Sequence, residues 1–119
     1  INEEFKYLID VNKRFIDVIC QYLNIETRIS SSSDYNLFGN KTERLINICE
    51  QANATTYLTG PAARTYLDED LFKDARINIE WMDYSKYKNY PQLWGEFTYN
   101  VSIIDVLFNC GNKSIELLK

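Results

Sequence analysis

Apolar residues recur at helical spacing near the start of the chain and again in its middle. Over residues 3–23 they fall three or four positions apart, which predicts an amphipathic helix. Residues 39–43 predict the start of a second helix, because Asn40 is a good N-cap and Glu43 stands where a capping box needs an acid. We expect that helix to bury the residues of its apolar face, Leu45, Ile48, Cys49 and Ala52.

Three shorter segments predict β-strands, at 26–30, 55–59 and 77–82. A third helical segment, from about 62 to 75, follows the Gly60–Pro61 stop and is interrupted near 67, where Asp68 begins a second short helix. Helices and strands therefore alternate, which predicts two successive βαβ units. The expected class is α/β, with a small parallel sheet of about three strands and helices on its faces.

An irregular aromatic segment follows the third predicted strand. Residues 83–100 show no apolar periodicity and contain six of the chain's 17 aromatic residues. A helix is predicted from about 101 to 109, with Gly111 near its C-cap, and a last helical turn from 113 to 118. Asp105 lies in the first turn of the predicted helix, three residues after Ser102, which favours a structural role at the free amides.

Charge and cysteine content limit the partners. The 119 residues contain 13 Lys and Arg against 17 Asp and Glu, a net charge of −4. This balance argues against nucleic-acid binding, which needs a basic surface. No apolar run reaches the roughly 18 residues of a membrane span, so we expect no membrane insertion. Three cysteines in apolar helical patterns indicate reduced, structural thiols and a cytoplasmic location.

The chain contains no histidine, and this restricts the chemistry of these residues. Acid–base work would fall to a carboxylate, a lysine or a tyrosine. A Ser-His-Asp or Cys-His arrangement is excluded within the chain, and the cysteines are too far apart to predict a metal site. We therefore expect no metal and no cofactor, and the catalytic residues stay unassigned.

An anion site is predicted at the carboxyl edge of the sheet, where ligands of open parallel sheets bind. Hydroxyls, cations and a close backbone approach at the Gly60 turn together suit a phosphate or nucleotide. The candidates are Ser31, Ser32, Ser33, Lys41, Arg44, Gly60 and Arg64. No P-loop or Gly-x-Gly-x-x-Gly pattern accompanies them. The same residues also have purely structural explanations. The serines can form an ordinary polar loop, Gly60 can end a strand, and Lys41 and Arg44 can lie on a solvated helix surface.

A sugar site is predicted in and beside the aromatic segment, because sugars lie on aromatic rings while carboxylates and amides hold their hydroxyls. The candidates are Asp83, Gln92, Trp94 and Glu96. The alternative is that the rings pin a long loop to the body of the protein.

Three blocks, at 57–70, 90–97 and 102–111, resemble the C-terminal half of the WbqC-like family of bacterial and archaeal proteins. The resemblance implies a place in O-antigen or other surface-polysaccharide biosynthesis. It also implies a transferase, with glycine or aminoacyl transfer suggested, acting on a nucleotide-linked sugar. One departure is that the family's His-Pro pair before the second block is replaced here by residues 87–89.

The resemblance also implies that residues 1–119 are a single α/β domain whose partner is a missing N-terminal half. The third predicted strand supports this, because Ile79 and Trp81 alternate with polar residues, as at a sheet edge. We expect an exposed apolar surface that also allows homo-oligomers. Two other functions stay open, a nucleotidyltransferase-like nucleotide-binding enzyme and a non-catalytic binding or scaffolding module.

Overall fold

The computed structural model describes residues 4–118, which form two compact units. Ile29–Lys86 form the sheet unit, and Ile1–Arg28 together with Tyr87–Lys119 form the helical unit. The prediction of a single domain stays a prediction. The regular elements are, in chain order, α1 (Leu8–Tyr22), α2 (Lys41–Gln51), β1 (Thr56–Thr59), α3 (Glu69–Asp74), β2 (Asn78–Trp81), α4 (Ile103–Cys110) and α5 (Ser114–Leu117).

The two strands of the sheet unit are parallel neighbours, with Thr56 opposite Asn78 and Thr59 opposite Trp81. Their connection runs through the 3₁₀ turn Pro61–Thr65 and α3, so one βαβ unit is confirmed. The class is mixed α/β.

The first predicted strand, at 26–30, is wrong. These residues pair with no strand in the described part of the chain, and Ile29 is 47% exposed. A strand is stabilised by its ladder and by burial of one face, and a single apolar residue in a polar segment provides neither.

The core of the sheet unit lies between α2, α3 and the sheet. Phe72 is fully buried and stacks on Tyr57, with ring centroids 5.1 Å apart. The surrounding buried residues are Ile46, Cys49, Leu67 and Ile77. The predicted buried face of α2 is therefore only partly right, because Ala52 is exposed and Ile46 takes the central position.

Helix starts follow the sequence closely. Asn40 Oδ1 accepts hydrogen bonds from the amides of Thr42 and Glu43 at 3.1 and 3.2 Å. The Glu43 carboxylate accepts the Asn40 amide at 2.6 Å, so the predicted capping box is confirmed. Asp68 caps α3 through the amides of Asp70 and Leu71, also as predicted.

Left-handed residues follow the ends of the first three helices. Asn24 follows α1 and Asn53 follows α2, each with φ of 54°, and Arg76 follows α3 with φ of 58°. Asparagine adopts this conformation readily, whereas arginine does so at a cost.

The helical unit contains residues 87–100 of the aromatic segment and three helices. Helix α1 begins at Leu8, later than predicted; residue 3 lies outside the described residues. None of the α1 residues is buried, and most of its apolar side chains are exposed, whereas Val11, Ile19 and Cys20 are half-buried. Val106 of α4 and Ser114 of α5 are buried, and the Ser114 hydroxyl donates to the Val106 and Gly111 carbonyls.

Candidate functional site

The carboxyl edge of the sheet is formed by the residues that follow β1 and β2. Gly60 ends β1 and begins the turn Pro61–Thr65. A Cβ atom at Gly60 would lie 3.2 Å from the Tyr84 hydroxyl, which leaves little room for a side chain. Its φ of −78° is ordinary, so a side chain at this position would require a small shift of the Tyr84 hydroxyl and no change of backbone conformation.

Arg64 lies in this turn and stacks on a ring of β2. Its guanidinium carbon is 4.1 Å from the centroid of the Trp81 ring, which is cation–π geometry. Arg64 belongs to no hydrogen bond or salt bridge within residues 4–118, including any with Asp68 or Glu69. The ring contact restrains the guanidinium, whose N–H groups have no hydrogen-bond partner within residues 4–118 and can bind a ligand.

Several other predicted anion-binding side chains form hydrogen bonds with residues close to them in the sequence. The Ser31 hydroxyl accepts the Ser33 amide at 3.3 Å and lies 2.7 Å from the Ser33 hydroxyl, closing the turn Ser32–Asp34. Arg44 Nε donates to the Gly39 carbonyl at 3.2 Å. Because residues 26–30 form no strand, the serine loop does not follow a strand end. Gly60 and Arg64 are the predicted pair that the fold brings to the carboxyl edge; Lys41 is exposed at the start of α2.

Asp83 also follows β2, in a turn that uses its carboxylate. The Ser85 hydroxyl and amide donate to Asp83 Oδ1 at 2.6 and 3.1 Å, and Lys86 Nζ lies 3.8 Å from Oδ2. These hydrogen bonds, with the smaller effect of the Lys86 charge, hold the pKa of Asp83 below its usual value. The carboxylate is therefore ionised at neutral pH and tied to its own turn.

The side chain of Gln92 forms hydrogen bonds within the helical unit. Its side-chain oxygen accepts the Thr98 amide and its nitrogen donates to the Thr98 carbonyl, both at 2.9 Å. The same nitrogen lies 3.2 Å from the Tyr90 hydroxyl and 3.3 Å from Asp105 Oδ2. Gln92 thus closes the loop 92–98, and its amide has little capacity left for a sugar hydroxyl.

Asp105 joins this loop to α4. The Tyr90 hydroxyl donates to Asp105 Oδ2 at 2.7 Å. Burial raises the pKa of Tyr90, and the hydrogen bond to the Asp105 carboxylate raises it further. The helix position of Asp105 was predicted, whereas its contact with Tyr90 had no signal in the sequence. We call Tyr90, Gln92, Thr98 and Asp105 the Asp105 network.

Aromatic rings of the segment divide into pinned and exposed ones. Phe97 makes edge contacts with Tyr90 and Tyr99, at centroid distances of 5.3 and 4.8 Å. Trp94, by contrast, is 84% exposed, and Glu96 beside it is exposed too. The rings that pin the loop are therefore distinct from the one that can accept a ligand.

Comparison with known proteins places the chain in a family. The model of the WbqC-like protein family matches residues 1–117. The chain belongs to the WbqC-like family. The Mycobacterium tuberculosis protein described as "Uncharacterized protein Rv1507c" is 46% identical over 119 residues, which are 100% of this chain and 52% of that protein. The chain thus spans about half the length of this relative. No solved structure matches significantly.

Metal and membrane features are absent from the described part of this WbqC-like chain. Residues 4–118 contain no group of three or more acidic or cysteine side chains arranged to hold a metal ion. No helix among them has the length and apolar character needed to cross a bilayer.

Proposed function

We propose that this WbqC-like chain binds the anionic group of a nucleotide-linked sugar at the carboxyl edge of its sheet. The full-length protein, on this proposal, is a transferase of surface-polysaccharide biosynthesis. Support comes from one observation above all, the stacking of Arg64 on Trp81 with its N–H edge unpaired in the described residues.

A stacked guanidinium suits a phosphate or carboxylate. Its parallel N–H groups match two oxygens of such a group, and the aromatic ring lowers the entropy lost when the side chain is held. The place agrees with the general position of ligands in parallel sheets.

Charge neutralisation at this position also suits transfer chemistry. In glycine or aminoacyl transfer to a nucleotide-linked sugar the diphosphate stays attached, and a fixed cation would hold it in place while the sugar accepts the acyl group. Separately, within the helical unit, the exposed Trp94 and Glu96 are candidate saccharide contacts, with the ring as a platform and the carboxylate as a hydroxyl acceptor.

Titration calorimetry with uridine diphosphate and a uridine-diphosphate hexose tests the proposal. Arg64→Ala should weaken binding about 10- to 150-fold, the equivalent of roughly 1.5–3 kcal/mol for a charge-assisted hydrogen bond. Arg28→Ala removes the same charge elsewhere and should bind as the parent does. Arg64→Lys should recover part of the affinity, because it keeps the charge and loses the planar fork. Equal affinity of parent and Arg64→Ala would contradict the proposal.

A non-catalytic saccharide-binding module is the second candidate, favoured by the exposure of Trp94. In that case Trp94→Ala should lower binding of a nucleotide-free oligosaccharide, while Arg64→Ala should not. A nucleotidyltransferase-like enzyme would instead prefer a nucleoside triphosphate in the same titrations.

A further inference from the structure

Among the described residues, strand β2 has a ladder partner on one side only. The Asn78 amide donates to the Thr55 carbonyl at 2.9 Å and the Met82 amide to the Thr59 carbonyl at 2.8 Å, so alternate residues face β1. By this alternation, the N–H and C=O groups of Ile79 and Trp81 point away from β1. No other strand within residues 4–118 pairs with that edge.

A cavity of about 460 Å³ lies along the same edge. It is lined by α3, β2 and the turn between them, and by no residue of β1 or α2. The half-buried Ile79 and Trp81 give it an apolar wall, behind which Phe72 and Ile77 are buried. Its charges nearly balance: the acids are Glu69 and Asp70, and the bases are Lys73 and Arg76. The groove thus offers unpaired backbone groups beside apolar surface, the combination that an added strand uses.

We propose that this groove receives a third strand from the part of a full-length WbqC-like chain that lies outside these 119 residues. Nearly half of the mycobacterial relative lies outside the match, which is ample chain for such a strand. Parallel sheets occur almost only as buried sheets of several strands, whereas Leu58 on β1 is 56% exposed here. The incoming segment should be extended, with an apolar side chain at every second position facing Ile79 and Trp81.

Hydrogen exchange in the full-length mycobacterial relative tests the proposal directly. The amides aligned with Ile79 and Trp81 should exchange as slowly, within about tenfold, as the amide aligned with Glu80, which bonds to β1. Exchange at unprotected rates would overturn the proposal. Protection that disappears on dilution to a monomer would overturn it as well, because a second copy would then fill the groove.

Proline substitution provides an independent test in the same protein. At the position aligned with Ile79, Pro removes the outward N–H, while Ala removes only the side chain. Pro should lower the Tm more than Ala, by roughly 2–4 °C for one lost hydrogen bond in a chain of this length. At the position aligned with Leu58, whose N–H faces the other edge, the Pro and Ala variants should differ less. An equal difference at the two positions would overturn the assignment to β2.

Discussion

The sheet unit and the helical unit are each stabilised by a different kind of internal interaction. The sheet unit encloses an apolar core in which Phe72 is fully buried and Ile77 nearly so. The helical unit buries little: none of the α1 residues is buried, and the aromatic segment is held by the Asp105 network and by edge contacts of Phe97. Sensitivity to substitution should therefore be spread over apolar contacts in the first unit and concentrated in a few polar atoms in the second.

Irregular backbone explains the second arrangement. Residues 87–100 contain no helix or strand, so their amides and carbonyls lack the ladder that satisfies such groups elsewhere. The Gln92 side chain bonds both the amide and the carbonyl of Thr98, as a neighbouring strand would. One side chain thus takes the place of a short ladder.

The largest effect is expected in the core of the sheet unit. Phe72→Ala should destabilise the protein by about 3–5 kcal/mol, because it removes a fully buried ring and leaves a cavity beside Tyr57. Phe108→Ala makes the same change at a ring that is 87% exposed, and should alter stability by less than about 0.5 kcal/mol. Urea unfolding measures both variants. Similar losses of stability in the two variants would contradict the expected difference between the units.

A smaller loss, confined to the helical unit, should follow Asp105→Ala. The change leaves the Tyr90 hydroxyl and the Gln92 amide without a shared acceptor, at a cost of about 1–3 kcal/mol. Amides of residues 89–100 should lose protection from hydrogen exchange, and those of β1 and β2 should keep it. Asp17→Ala, at an exposed position of α1, is the matched control. Uniform loss of protection in both units would show that they unfold together.

The smallest effect concerns alkaline pH. The pKa of Tyr90 is raised above its ordinary value of 10.0 by burial and by Asp105. The neutral hydroxyl therefore stabilises the fold fully below about pH 10, and this contribution is lost as the pH rises through the higher pKa of the folded state. The stability difference between the parent and Tyr90→Phe should shrink above pH 10 in urea unfolding.

Asp105→Asn sharpens this pH test. It removes the carboxylate and keeps the burial, so the pKa of Tyr90, measured by ultraviolet titration against Tyr90→Phe, should fall only in part. A complete return to the ordinary value would make the charge, rather than burial, the main cause.

Local signals predicted much of the fold and little of the candidate site. The capping residues Asn40, Asp68 and Ser102 act within three residues of their partners, so their patterns were sufficient. The strand expected at 26–30 failed because a strand depends on a neighbour that the local sequence does not describe.

Contacts in the candidate site join residues far apart in the sequence. Arg64 meets Trp81 across 17 positions and Tyr90 meets Asp105 across 15. Gln92 was predicted to bind a sugar from its residue type alone. In the structure its side-chain amide instead forms hydrogen bonds with the backbone of Thr98. The conformation of the loop determines which side chains are exposed to solvent, and these include Trp94 and Glu96.

Each unit contains one of the chain's two tryptophans, and their surroundings differ. Trp81 is half-buried beneath a guanidinium, whereas Trp94 stands in solvent. Their fluorescence should therefore separate, with Trp94 emitting at longer wavelength and more readily quenched by acrylamide. Replacing either one by Phe leaves an optical reporter of the other unit, and Trp81 would also sense an anion arriving at Arg64 without any added dye.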